Sequence, residues 1–325
     1  MEVGQLGRNK KILITPEGMS VLLNEFDDLF GDGYEITFTN GIVTENSKLE
    51  ELLQDKDACI IGSEKLDYDL LSRCKNLKII SRFGSGYDSI SLKDIHNLGI
   101  SLSISPSISV RSVARHTLAL FMSLTHNILL QKRSSYTNKW DRTLNLAPEY
   151  IKVGLIGSGP IAQQFAKYLV NLEYKVFYYS RSKKESMESV GVKYCDSIDE
   201  LLQKSDVVSL HLKLVDSTKK IAGKDFFKKM KGGFFINTAR GGLVDEVELY
   251  NALDSGMIAG AALDVYQNEP ATGISNKIRK MENVVSTCHV SSYDQHSLTC
   301  VGKESISNIT HYFNNNPKNL INIIN

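Results

Sequence analysis

Ile151-Lys152-Val153-Gly154-Leu155-Ile156-Gly157-Ser158-Gly159-Pro160-Ile161-Ala162 decides the fold. Its first half is a short apolar run, the pattern of a parallel strand buried on both faces. Its second half is a GxGxxA turn that opens a helix. Gly157 permits the tight turn, Gly159 lets backbone approach a pyrophosphate, and Ala162 is small enough for close helix–strand packing. Pro160 falls in the first turn of the helix, where a missing N–H loses no hydrogen bond. The open N–H groups and positive end of that helix suit phosphate. Strand, glycine turn and helix in this order predict a dinucleotide-binding βαβ unit, with Gly157, Ser158, Gly159, Pro160 and Ile161 against the cofactor.

Outward from this unit the rhythm repeats. Downstream, strands are expected at 175–179, 207–212, 233–237, 260–263 and 283–286, which with 151–156 makes six. Upstream, Lys11–Thr15, Glu35–Phe38, Ala58–Gly62 and Leu77–Ser81 read as buried strands, with helical spacing over 19–29 and 47–53. Val110–Leu130 has no Gly or Pro and reads as one long helix; Ser297–Phe313 reads as another. The fold class is α/β, with two Rossmann-like doubly wound parallel-sheet domains and a cleft between them.

Bulk properties narrow the function. At 325 residues the chain suits two domains of roughly 100–200 residues each. Lys plus Arg, 38, nearly balances Asp plus Glu, 37, so no net field attracts nucleic acid or anionic lipid. No apolar stretch approaches the ~20 residues that span a bilayer, and the N-terminus lacks the apolar core of a secretory signal. Five cysteines without CxxC spacing suit reduced thiols better than disulfides or a zinc site. A cytoplasmic protein without a metal is expected.

The strand ending at Tyr179 leads into Ser180-Arg181-Ser182. An NAD enzyme usually places a carboxylate near this tip for the ribose 2′-OH; an arginine accommodates a 2′-phosphate. Ser180, Arg181 and Ser182 are therefore read as cofactor-binding, with NADP(H) favoured and NAD(H) possible.

Three further segments follow in order: Phe234-Phe-Ile-Asn-Thr-Ala-Arg240-Gly-Gly-Leu-Val-Asp-Glu246, Ala261-Ala-Leu-Asp264-Val-Tyr-Gln-Asn-Glu269-Pro270 and Ser286-Thr-Cys-His289. With Arg82-Phe-Gly-Ser-Gly-Tyr-Asp88 upstream, the chain resembles the D-isomer-specific 2-hydroxyacid dehydrogenases over nearly its whole length. These include phosphoglycerate dehydrogenases and glyoxylate/hydroxypyruvate reductases. The resemblance implies a discontinuous, flavodoxin-like substrate-binding domain, residues 1–109 and 293–325, around a Rossmann domain, residues 110–292. It also implies a homodimer, with 131–150 as a contact arm.

By the same resemblance Arg240, Glu269 and His289 are catalytic. A guanidinium keeps its charge, offers a planar fork to a 2-keto acid and polarises the carbonyl. Reducing a ketone needs a proton, which histidine supplies near neutral pH. A carboxylate beside an imidazole favours the protonated ring and fixes its orientation. Thr238, Ala239 and Asp264 are implied at the cofactor, Asp264 against the nicotinamide carboxamide, with a loop role satisfied by backbone as the alternative. Ser85 and Gly86 are implied at the substrate carboxylate, and Ser292 near the substrate. Arg82 reads as either a second charge for the substrate or a structural residue. His96, His116, His126, His211, His296 and His311 lack a partner in sequence and read as structural.

Cys288, Arg115 and Lys213 replace the family's usual proline, glutamate and proline. The expected reaction is hydride transfer between NAD(P)H and a small 2-keto acid such as glyoxylate or hydroxypyruvate. Phosphoglycerate oxidation is an alternative, weakened by Gly62 where some relatives place a phosphate-binding arginine and by no regulatory domain being expected after residue 325. A non-catalytic NAD(H)-sensing corepressor is another. Formate oxidation is disfavoured because Glu269 stands where those enzymes carry glutamine.

Overall fold

The computed structural model describes residues 9–106, 109–137, 140, 142, 144–145, 147–230, 232–314 and 323–324. The chain divides into two compact units, Met1–Ser109 with Tyr293–Asn325, and Val110–Ser292.

The first unit is built on β1 (Lys10–Ile14), β2 (Tyr34–Phe38), β3 (Ala58–Ile61), β4 (Ile79–Arg82) and β5 (Ser101–Ile104). They run parallel in the order β5-β4-β3-β1-β2, a flavodoxin-like arrangement. Strand alternation sends Leu13, Cys59, Ile61 and Ile80 to one face and Ile12, Ile14, Ile60 and Ile79 to the other, each under its own apolar layer. The helix Gln295–Phe313 returns from the far end of the chain and buries Ile306 and Ile309 in the second layer. Ser81 Oγ donates to its Ser305 carbonyl at 3.1 Å.

The second unit carries seven parallel strands: β6 (Lys152–Ile156), β7 (Lys175–Tyr179), β8 (Lys193–Tyr194), β9 (Val207–Leu210), β10 (Phe234–Asn237), β11 (Gly260–Leu263) and β12 (Val284–Ser286). Their order is β12-β11-β10-β9-β6-β7-β8, a Rossmann sheet extended by one strand at the β12 edge. Apolar layers cover both faces, which is why β6 and β9 read as buried runs.

The structure departs from the sequence reading in three places. The second sheet has seven strands rather than six, because β8 is only two residues long. β5 has no apolar run to announce it: Ser101-Leu-Ser-Ile104 is half polar, although Ser103 is buried. The expected single helix from Val110 to Leu130 is two helices, Ser109–Thr125 and Ile128–Tyr136. Asn127 between them adopts φ 51°, a left-handed conformation that asparagine tolerates better than most residues and that ends helices. Part of the expected contact arm, at 138–139, 141, 143 and 146, lies outside the described residues. A two-residue strand, β13 (Ile323–Ile324), pairs antiparallel with β5.

Candidate active site

Every candidate residue of the second unit leaves the carboxyl edge of its sheet, where ligands bind in open α/β folds. At the end of β6, Gly157 has φ +116°, and an added Cβ would lie 2.3 Å from the His211 carbonyl oxygen. No other residue fits. Gly159, at the N-cap of the helix Pro160–Asn171, has nothing within 4 Å of an added Cβ, so its exposed side is open to an approaching group. Ala162 is fully buried against the sheet, and Gln163 Nε2 braces the turn by donating to the Ser158 carbonyl at 2.9 Å. The crowded glycine, the open glycine and the uncapped helix start together fit a pyrophosphate.

At the tip of β7, Ser180 Oγ donates to the Ser182 carbonyl at 2.6 Å and Tyr194 Oη to the Ser180 carbonyl at 3.1 Å. Arg181 and Ser182 are exposed on this pinned turn, with no carboxylate among residues 180–182. His211 follows β9, pairs with Ser209 Oγ at 3.0 Å and packs on Phe165. Burial drives its pKa down to about 4, so it stays neutral and structural. Lys213 and Arg115 are exposed.

Arg240 sits in a turn locked from beneath. Asn237, fully buried, donates from Nδ2 to the Arg240 carbonyl at 2.9 Å and accepts from Ala239 N–H at 3.0 Å. Thr238 is buried with its hydroxyl 2.9 Å from that of Thr117. Arg240 Nη1 donates to the Ala239 carbonyl at 2.7 Å. Gly241 abuts the Tyr266 peptide and admits no side chain.

Glu269 and His289 meet directly, Oε2 to Nδ1 at 2.6 Å. The other carboxylate oxygen of Glu269 accepts from Tyr266 N–H at 2.9 Å, which fixes the carboxylate plane. A second, buried carboxylate steadies this segment: Glu246 Oε1 accepts from Gln267 N–H at 2.8 Å, and Ser275 Oγ donates to Oε2.

Asp264 holds the histidine's loop. Its side chain is wholly buried. Oδ1 accepts from Thr287 Oγ1 at 2.6 Å and Val290 N–H at 2.9 Å, and Oδ2 accepts from Ser291 N–H at 3.0 Å. The His289 N–H donates to the Asp264 carbonyl at 2.8 Å. Burial pushes this carboxyl up, but the hydrogen bonds from Thr287, Val290 and Ser291, with His116 nearby, outweigh it and hold the pKa below the ordinary carboxylate value. His289 itself has φ 54°, a conformation that costs about 1–3 kcal/mol and persists only where surroundings over-determine it. The Asp264 hydrogen bonds supply that constraint. His116 Nε2 reaches the same node, 3.1 Å from Thr287 Oγ1. Sequence reading missed Asn237, Gly241, Glu246 and Thr287. Glu246, one residue inside the Asp245 cap, looks in sequence like an ordinary first-turn acid, and only the structure shows it buried.

In the first unit, Ser85 is exposed and Gly86 half-buried on the loop after β4. Arg82 Nη1 donates to the Phe83 carbonyl at 2.7 Å and the Ile61 carbonyl at 3.3 Å, a bracing position at that edge. Among the described residues no cluster of three or more metal-ligating side chains occurs, and no helix is long and apolar enough to cross a membrane.

Residues 118–291 match the family model for the D-isomer specific 2-hydroxyacid dehydrogenase NAD-binding domain. The chain belongs to the D-isomer specific 2-hydroxyacid dehydrogenase family. It is similar to a hydroxypyruvate reductase of Thermotoga maritima, 34% identical over 270 residues, covering 82% of this chain and 87% of that protein. It is 36% identical over 261 residues to a D-3-phosphoglycerate dehydrogenase of Archaeoglobus fulgidus, covering 78% of this chain but 49% of that protein. The chain thus spans about half the length of that relative. A D-lactate dehydrogenase of Aquifex aeolicus, solved with NAD and lactic acid, superposes with a TM-score of 0.87 at 26% identity, over 96% of this chain and 98% of that one. As a member of this family, the chain is a 2-hydroxyacid dehydrogenase with a nicotinamide-nucleotide domain in its second unit.

Proposed function

We propose that this chain reduces small 2-keto acids, such as glyoxylate or hydroxypyruvate, to D-2-hydroxy acids and prefers NADPH to NADH. The 2.6 Å contact between His289 Nδ1 and Glu269 Oε2 carries this reading. It occupies one ring nitrogen and leaves Nε2 for substrate. The second unit's glycine turn and the Ser180–Ser182 tip hold the cofactor, Arg181 facing a 2′-phosphate. Thr238 and Ala239 line the same edge. The bound reduced nicotinamide supplies a hydride to the keto carbon.

Arg240 takes the substrate carboxylate and draws electron density toward the carbonyl oxygen. As the C–H bond forms at C2, the carbonyl π pair moves onto oxygen. His289 Nε2 gives that oxygen its proton; in reverse the neutral ring takes the proton back. Glu269 holds the ring on line and balances its charge. We assign Asp264 to positioning His289 rather than to the nicotinamide, because both its oxygens are engaged by the 287–291 loop. Ser85, Gly86 and Ser292 complete the substrate contacts.

Ile128, Leu129 and Leu130, exposed on one short helix, favour a homodimer, which sedimentation tests. The five cysteines, none in a disulfide, favour the cytoplasm.

The decisive experiment assays glyoxylate, hydroxypyruvate, pyruvate and phosphohydroxypyruvate with NADH and NADPH in parallel. Turnover of the first two with an NADPH preference is expected, and Arg181→Ala reduces that preference. An NADH preference of about tenfold or more in kcat/KM overturns the cofactor assignment. Unchanged turnover in Arg240→Ala and His289→Ala overturns the catalytic one.

A further inference from the structure

Thr238, Asp264 and Thr287 are the first residues past β10, β11 and β12, three neighbouring strands of the second sheet. Arg240 stands two residues after Thr238, and His289 two after Thr287. The helix Ser109–Thr125 lies over one face of these strands: Leu120, Phe121 and Leu124 share an apolar layer with Ile236, Ala262 and Val285. Consecutive helix positions diverge by about 100° around the axis, so adjacent side chains can reach different strand ends. His116 goes to Thr287 and Thr117 to Thr238.

Both contacts have a fixed direction. Thr287 Oγ1 lies 2.6 Å from Asp264 Oδ1; a carboxylate only accepts, so the Thr287 hydroxyl gives its one proton there. His116 Nε2, 3.1 Å from the same hydroxyl oxygen, must then donate, which places a proton on Nε2. The row runs from His116 through Thr287 to Asp264, whose oxygens hold the Val290 and Ser291 N–H groups just past His289. Thr117 Oγ1 donates to the Val113 carbonyl at 2.7 Å. It therefore accepts, at 2.9 Å, from the Thr238 hydroxyl. Thr117 and Thr238 are both buried, where a hydroxyl left unpaired is unfavourable. Each hydroxyl thus has one orientation, and each bond in a row fixes the next.

We propose, resting on the roles given above to His289 and Arg240, that His116 and Thr117 are positioning residues for the two ends of the reaction. His116 places the proton donor, through Thr287 and Asp264. Thr117 places the substrate-binding guanidinium, through Thr238. Two neighbours on one helix so set the spacing between the group that holds the keto acid's carboxylate and the group that protonates its carbonyl oxygen. Their effects separate. Without the His116 bond the substrate stays held while the imidazole drifts off line, so kcat falls. Without the Thr117 bond the turn carrying Arg240 loosens, so substrate binding weakens first.

Glyoxylate reduction by the full chain tests this, with NADPH and with NADH, beside calorimetric binding of oxamate, an analogue that cannot be reduced. His116→Leu is expected to lower kcat by about tenfold or more, with KM and oxamate affinity within about twofold of the parent. Thr117→Val is expected to raise KM and weaken oxamate by about tenfold, with a smaller change in kcat. His116→Gln, whose Nε2 can donate to Thr287, and Thr117→Ser, which keeps the hydroxyl, are expected to restore parental behaviour. Cofactor affinity, read by fluorescence, should hold in all four. Should either first variant fail to fold, His116→Asn, whose amide stops short of Thr287, and Thr117→Ala carry the same expectations. A lowered Tm with parental kcat and KM would mark a structural brace and overturn the proposal. So would kcat and oxamate affinity falling together in both variants, or no recovery with Gln and Ser. A parent chain that turns over no keto acid overturns the enzyme reading along with this one. Inactive Arg240→Ala and His289→Ala beside unchanged helix variants overturn the helix assignment alone.

Discussion

Gly241 lies so close to the Tyr266 peptide that an added Cβ would fall 1.9 Å from the Tyr266 carbonyl carbon and 2.0 Å from its oxygen. The turn carrying Arg240 is therefore packed, backbone on backbone, against the segment carrying Glu269. Gly241→Ala must push these two segments apart. Overpacking against rigid backbone is expected to cost at least about 2 kcal/mol by urea unfolding. Displacing Arg240 by ~1 Å is expected to lower kcat/KM by on the order of 10²-fold. A variant with parental activity would show that Arg240 needs no such support.

Glu269→Gln separates charge from shape. The amide can still accept from Tyr266 N–H, yet it no longer carries the charge beside His289. Reduction of a keto acid is expected to fall by about 10²-fold in kcat/KM, within the range for general acid catalysis. Cofactor binding, read by fluorescence titration, should stay the same. A weakened cofactor affinity instead would assign Glu269 to the cofactor side.

Asp264→Asn places an amide group where one oxygen now accepts from Ser291 N–H and the other from Thr287 and Val290. At neutral pH a loss of about 2 kcal/mol or more is expected from donors left facing a donor. The acid behaviour should differ too. The folded pKa is depressed, so the parent's stabilisation is present above the ordinary carboxylate value and lost as pH falls through the folded value. Urea curves for parent and variant should therefore converge in strong acid. A constant gap down to low pH would contradict the assignment.

His211 sets a second acid limb at higher pH. Its imidazole is depressed from the ordinary 6.5 to about 4, so the unfolded chain binds the extra proton between those values. Stability contributed by the neutral ring is full above about pH 6.5 and falls as pH drops toward 4, by roughly 3 kcal/mol at most. His211→Gln should flatten the unfolding free energy over that window.

The parts of the fold legible in the sequence are those where local chemistry and burial agree. The β6 run with its glycine turn, and the apolar runs of β7, β9 and β10, announce a doubly wound sheet because both faces are covered. β5 and β8 escape because Ser101, Ser103 and Lys193 interrupt the pattern, and their pairing depends on neighbours far away in sequence. The break at Asn127 escapes because asparagine enters the left-handed region only where context demands it. In the site, motif order marks Arg240, Glu269 and His289, and the last two stand 2.6 Å apart in the structure. Motif order does not reveal that Asp264 points into the 287–291 loop, nor that Gly241 is pressed against Tyr266. Those relations arise only when β10, β11 and β12 lie side by side.

The returning helix Gln295–Phe313 has a consequence for synthesis. Ser81 waits 224 residues for its Ser305 partner, and Ile306 and Ile309 complete one apolar layer of the first sheet. On the ribosome the second unit, contiguous at Val110–Ser292, has all its strands available before that helix emerges. The first unit must meanwhile wait with that layer, which Met19, Leu22, Phe26 and Phe30 cover in part, still incomplete.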